Sequence, residues 1–222
     1  MHRIRVVGAC AAVTLGLAAL CAPGASAGIM ALKLEIAGTQ ITGGAPITLS
    51  SSNLALSNAF WSDDCTETTL GGSLGNNNKA KDDFIPITEG TFGGGGNEGL
   101  CASSFNFVTQ WMPEQTPEMT LDRKGHALLR FPRIRAVPLE DIEKPPGQKE
   151  ACLASSNGIK GTFPVSETPQ PLTVTFTESK MHLGAAHGQE CGTGTGHTPL
   201  LSATFTFTSR GSVVEAVLFE HH

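Results

Sequence analysis

From Pro171 to Ser179 the chain reads PLTVTFTES, and from Leu200 to Ser209 it reads LLSATFTFTS. Apolar and hydroxyl residues alternate from Leu172 to Thr177 and from Leu201 to Thr208. An extended strand sends successive side chains to opposite faces, so period-two alternation fits a strand with one buried face and no helix. Leu172, Val174 and Phe176 fall on one face, with Thr173, Thr175 and Thr177 on the other. Leu201, Ala203, Phe205 and Phe207 form the apolar side of the second run. ALKLEIAG does the same with Leu32, Leu34 and Ile36, and SVVEAVLFE supplies a last strand. The spacers are turn material: GGAP, GGSLGNNNKAKDD, GGGGNEG, PPGQKE and GTGTGHTP. No segment carries a sustained helical period, and the expected fold class is all-β.

A cysteine phrase occurs twice, as CTETTLGGSL from Cys65 and CLASSNGIKGTF from Cys152. One fixed offset lays Leu34, Glu35 and Gly38 on Leu121, Asp122 and Gly125, and Cys65 on Cys152. After a short insertion in the second copy, Ser73-Leu74 meets Thr162-Phe163, Thr88-Glu89 meets Thr177-Glu178, and Cys101 meets Cys191. The ordered set reads as an internal duplication. It predicts two repeated Greek-key-like β-sandwich units, residues 28–113 and 114–222, each with one disulfide. The boundary falls in TQWMPEQTP, where two prolines interrupt the pattern. A single sandwich built from both copies is the alternative.

Residues 1–27 read as a secretory signal peptide, with Arg3 and Arg5 ahead of an apolar run from Val6 to Leu20 and a cleavage site at Ala25-Ser26-Ala27. A lipid anchor at Cys10, in VGAC, is the competing reading. No later stretch is apolar enough to span a bilayer as a helix, so the expected location is secreted or at the extracellular surface, without membrane insertion. The net charge of −5 becomes more acidic once Arg3 and Arg5 leave, which argues against nucleic acid as a partner. Cys10 and Cys21 leave with the leader. Cys65, Cys101, Cys152 and Cys191 then form an even set, which in a secreted chain reads as disulfides; the clustered spacing of a zinc site is missing. The repeat phase pairs Cys65 with Cys101 and Cys152 with Cys191.

The leader, an early strand, ITLSSSNLALS, the phrase TETTLGGSL behind a cysteine, and CLASSNGIKGTF together resemble a group of uncharacterised secreted all-β proteins of high-GC Gram-positive bacteria. That group has no established activity, so the resemblance implies class and location and transfers no catalytic residue. A weaker similarity, to secreted chromoprotein carriers, implies a small sandwich with a ligand cleft.

The chemistry-bearing motifs are sparse. GASAG, from Gly24 to Gly28, has the form of a nucleophile elbow but straddles the cleavage site. GGGGNEG lacks the Lys-Ser/Thr and helix of a phosphate loop. Asp63-Asp64, Asp82-Asp83 and Glu140-Asp141 are adjacent pairs, and neighbours on a strand point to opposite faces. Arg123, Lys124, Arg130, Arg133 and Arg135 lie in RKGHALLRFPRIR, which reads as two strands with solvated charges. Trp61 is expected in the core, and Trp111 at a junction or a stacking platform. His182, His187 and His197 flank Cys191 and form the candidate metal ligands, although their spacing matches no established zinc motif. No catalytic, cofactor or metal residue is assigned. The expected function is non-catalytic binding or a structural role at the cell surface, with an envelope polymer, a protein or a small molecule as partner. A small-molecule carrier with an inter-sheet or inter-domain cleft and an extracellular hydrolase are the alternatives.

Overall fold

The computed structural model of the chain describes residues 29–59, 62–75, 83–92, 100–103, 108–113, 115–138, 152–183 and 199–221. Among these residues the fold is all-β: an eight-stranded barrel with an extra sheet. Strands β1 (Ile29–Ile36) and β2 (Thr39–Gln40) precede the barrel. The first stave is β3 (Pro46–Ser51) continued by β4 (Leu54–Ser57), and the second is β5 (Ser62–Cys65) continued by β6 (Thr68–Ser73). The third joins β7 (Asp83–Thr91) to β8 (Leu100–Ser103), and the fourth joins β9 (Val108–Pro113) to β10 (Glu118–Leu121). The fifth and sixth are unbroken, β11 (His126–Pro138) and β12 (Cys152–Thr162). After β13 (Gln170–Pro171) come the seventh stave, β14 (Thr173–Lys180) with β15 (His182–Leu183), and the eighth, β16 (Leu200–Ser209). Strands β17 (Ser212–Val213) and β18 (Glu215–His221) complete the chain's described strands.

Each stave runs antiparallel to the next, and β16 pairs with both β3 and β4, which closes the ring. Closure gives every stave a hydrogen-bonded neighbour on both sides. An eight-stranded barrel is just wide enough for side chains to fill, or to hold one small ligand. Here Ile47, Leu49, Leu129, Phe131, Phe205 and Phe207 are all buried to 1% exposure or less and join one hydrophobic core. The rings of Phe176 and Phe205 meet edge to face, 6.2 Å apart. Outward positions carry hydroxyls; Thr173, Thr206, Ser50 and Thr69 form one row across four staves. A lipid-facing barrel would carry an apolar band there. Among the described residues, no helix is long and apolar enough to cross a membrane.

One end of the barrel is covered by the small sheet, in the order β13-β18-β1-β2. Leu34 and Ala216 face each other across β1 and β18, both fully buried in the barrel's own core. The backbone N–H of Ile41 donates to Leu34, that of Leu172 to Val214, and that of Phe207 to Leu172, tying this sheet to the barrel end.

The expected sandwich units, 28–113 and 114–222, differ from this arrangement. Residues from both are hydrogen-bonded into one ring, with meander rather than Greek-key connectivity. The expected boundary falls between β9 and β10, the two parts of a single stave. Alternation along a strand is the same in a sandwich and a barrel, and the pairing of β16 with β3 that distinguishes them is non-local. RKGHALLRFPRIR also differs: it forms a turn and one strand of 13 residues, β11. Pro132 falls at a register shift between Phe131 and Ile134, so the strand absorbs it as a bulge. The bridge between Cys65 and Cys101 is present, with both sulfurs inside the barrel.

Candidate functional site

The turn between β10 and β11, Asp122-Arg123-Lys124-Gly125-His126, is short and needs a positive φ. Gly125 supplies it at 80°, and a Cβ there would lie 2.5 Å from the carbonyl oxygen of Phe163. Asp122 holds the loop together. Its Oδ1 accepts from the backbone N–H of Lys124 at 2.8 Å and of His126 at 2.9 Å, leaving Oδ2 for the Nδ1 of His126, also at 2.9 Å. An ionised carboxylate only accepts, so Nδ1 carries the proton and Nε2 is left for other partners.

This turn forms one end of a groove of about 500 Å3 on the barrel's outer face. Register sets its layout. Thr120 lies opposite Leu128, Leu128 opposite Lys160, and His126 opposite Thr162. Leu128 forms much of the floor because Gly158 has no side chain to lift it; a Cβ on Gly158 would lie 2.6 Å from Leu128 Cδ1. Charges on this face are mostly matched. Arg130 pairs with Glu118 at 2.7 Å, and His126 with Asp122. The Lys160 ammonium has no hydrogen bond or ion pair among the described residues. Among the described residues the groove is lined by threonine hydroxyls, an imidazole, a carboxylate and an ammonium group. A second outer concavity, about 360 Å3 beside Ile87, Glu89, Gln115 and Pro117, has Glu89 as its one titratable lining residue among the described residues.

Partial burial alone would raise the pKa of Asp122. The backbone and ring N–H groups of His126, the backbone N–H of Lys124 and the imidazolium charge outweigh it and hold the carboxyl below its ordinary value. A pKa depressed in the folded state contributes stability that is present above the unfolded value, about 4, and is lost as pH falls through the folded value. Asp122→Asn keeps an acceptor oxygen but removes the charge. Its melting temperature is therefore lower than wild type at pH 7, and the gap narrows as the buffer is taken from about pH 5 to pH 3. A gap constant over that range would assign the effect to turn geometry alone.

The sequence-derived candidates gather elsewhere. At the rim opposite the small sheet, Trp111, Ala136 and Cys152 share one register row, and His182 lies opposite Ser155. His187, His197, Cys191, Trp61, Asp82 and Glu140-Asp141 lie outside the described residues, as does GGGGNEG, so the His182–His187–His197 grouping and the Cys152–Cys191 bridge do too. Asp63 is buried at 4% exposure and Asp64 is exposed, as alternation requires. Sequence reasoning did not single out Lys160 or Leu128. The Asp-x-x-Gly spacing of Asp122 and Gly125 between two alternating runs was the available signal, because it marks a hairpin turn. No protein-family model, no curated protein and no solved structure matches this chain.

Proposed function

We propose that the chain is a secreted, non-catalytic binding protein that holds a small ligand on the outer face of a filled barrel. The observation that carries this reading is the contrast between an interior occupied by Phe131, Phe176, Phe205 and Phe207 and an external groove where Lys160 and His126 offer free polar atoms. The leader at residues 1–27, the acidic balance and the buried disulfide support an extracellular setting. The test is a two-dimensional NMR screen of the folded chain with small aromatic and aliphatic acids, amines and amides. Saturable shifts centred on the amides of Ala127, Leu128, Gly161 and Thr162 are expected. Shifts centred on interior positions such as Ala203 and Phe205 would replace this reading with an internal carrier cleft.

We also propose that the barrel arose from two duplicated halves, each folding into adjacent staves. Leu34 and Leu121 are both fully buried, Leu34 in the small sheet and Leu121 in a stave. Leu74 donates its N–H to Ala45 at 2.8 Å, and Phe163 donates to Gly125 at 2.8 Å, each just past the end of its stave. The matched pairs Thr88-Glu89 and Thr177-Glu178 both fall at register shifts, in β7 and β14. The same phase joins Cys152 to Cys191.

A further inference from the structure

Resting on that outer-groove reading, we propose that the groove binds a small monoanionic organic acid, with its carboxylate on Lys160 and its apolar body over Leu128. The charge tally leads to one negative charge. The Asp122 carboxylate is held in the turn by two backbone N–H groups and His126 Nδ1, Glu118 offsets Arg130 at 2.7 Å, and the Lys160 ammonium has no ion-pair partner among the described residues. A ligand with several anionic groups would need a second unmatched cation. The turn beside the groove carries Arg123, which donates to the backbone oxygen of Met30, and Lys124, whose ammonium has no partner among the described residues, but neither lines the groove.

The floor and walls set the rest of the ligand. Leu128 and the aliphatic stem of Lys160 present carbon. The hydroxyls of Thr120 and Thr162 flank it, and His126 Nε2 points its remaining hydrogen-bonding capacity away from Asp122. A volume of about 500 Å3 suits a ring or short chain carrying one carboxylate. Among the described residues the lining has no aromatic ring on which a nucleobase could stack. One imidazole whose carboxylate partner is already committed to the turn is too few ligands for a metal.

The test titrates isotope-labelled folded chain with benzoate and hexanoate, and with benzamide and hexanamide as neutral isosteres. The acids are expected to shift the amides of Leu128, Lys160, Gly161 and Thr162 saturably, and the amides to bind at least tenfold more weakly. Lys160→Met keeps the stem and removes the charge; it should abolish the preference for acid over amide, whereas Lys160→Arg should keep it. Lys160 is exposed, so both variants retain the fold, which near-ultraviolet circular dichroism checks. Equal binding of acids and amides in the groove, or an unchanged preference in Lys160→Met, overturns the anion assignment and leaves the groove as a binding site. No saturable shift from any of the four compounds overturns the acid site together with the groove reading.

Discussion

Replacing Phe205 by alanine lowers the unfolding free energy by about 4 kcal/mol. The side chain is fully buried, so the loss combines its transfer from water with the cavity left behind. Two features bear on the size of the loss. Its ring meets Phe176 edge to face, an arrangement worth roughly 1 kcal/mol beyond burial. It also sits on β16, whose pairing with β3 closes the ring, so neighbouring staves cannot collapse inward without breaking ladder hydrogen bonds. Urea denaturation with an unchanged slope measures the effect. A loss below about 1 kcal/mol would mean that the barrel interior is not filled as described.

Removing the bridge by Cys65→Ala with Cys101→Ala costs about 4 kcal/mol, the chain-entropy value for a closed loop of this length. The sequence separation is 36 residues. The bridge links adjacent antiparallel strands directly across the ladder: Asp63 lies opposite Ser103 and Asp64 opposite Ala102, which brings the two cysteines face to face at a Cα separation of 4.5 Å. Both are fully buried. Reductant therefore reaches them only when the barrel opens, and the wild-type bridge should survive millimolar thiol until denaturant is added. Equal stability of the double variant and wild type would show that the unfolded chain is already constrained at this loop.

Alternation made the strand faces legible. Leu172, Val174, Phe176, Leu201, Ala203, Phe205 and Phe207 are all buried, and Thr175 and Thr177 are exposed, as period two demands. The pairing of Cys65 with Cys101 was legible from the repeat phase. What alternation does not encode is which strand closes on which. The register between Thr206 and Ser50 joins residues from opposite ends of the chain, and the first-copy strands would alternate identically in a sandwich. The groove was hidden for a related reason. Lys160 and His126 are distant in sequence and become diagonal neighbours only once β11 and β12 pair, while Lys160 sits in a Gly-Ile-Lys-Gly stretch that reads simply as a turn.

The pairing of β1 with β18 has a mechanical consequence. Its register starts at Ile29 opposite His221 and ends at Glu35 opposite Glu215, so the outer ends of both strands lie side by side. Force applied between Ile29 and His221 loads this ladder in the unzipping direction, one residue pair at a time, rather than in shear across all pairs at once. The small sheet acts as a tear strip that peels at low tension. The closed ring behind it, joined stave to stave and clamped by the bridge at Cys65, takes up load only after the peel reaches Glu215.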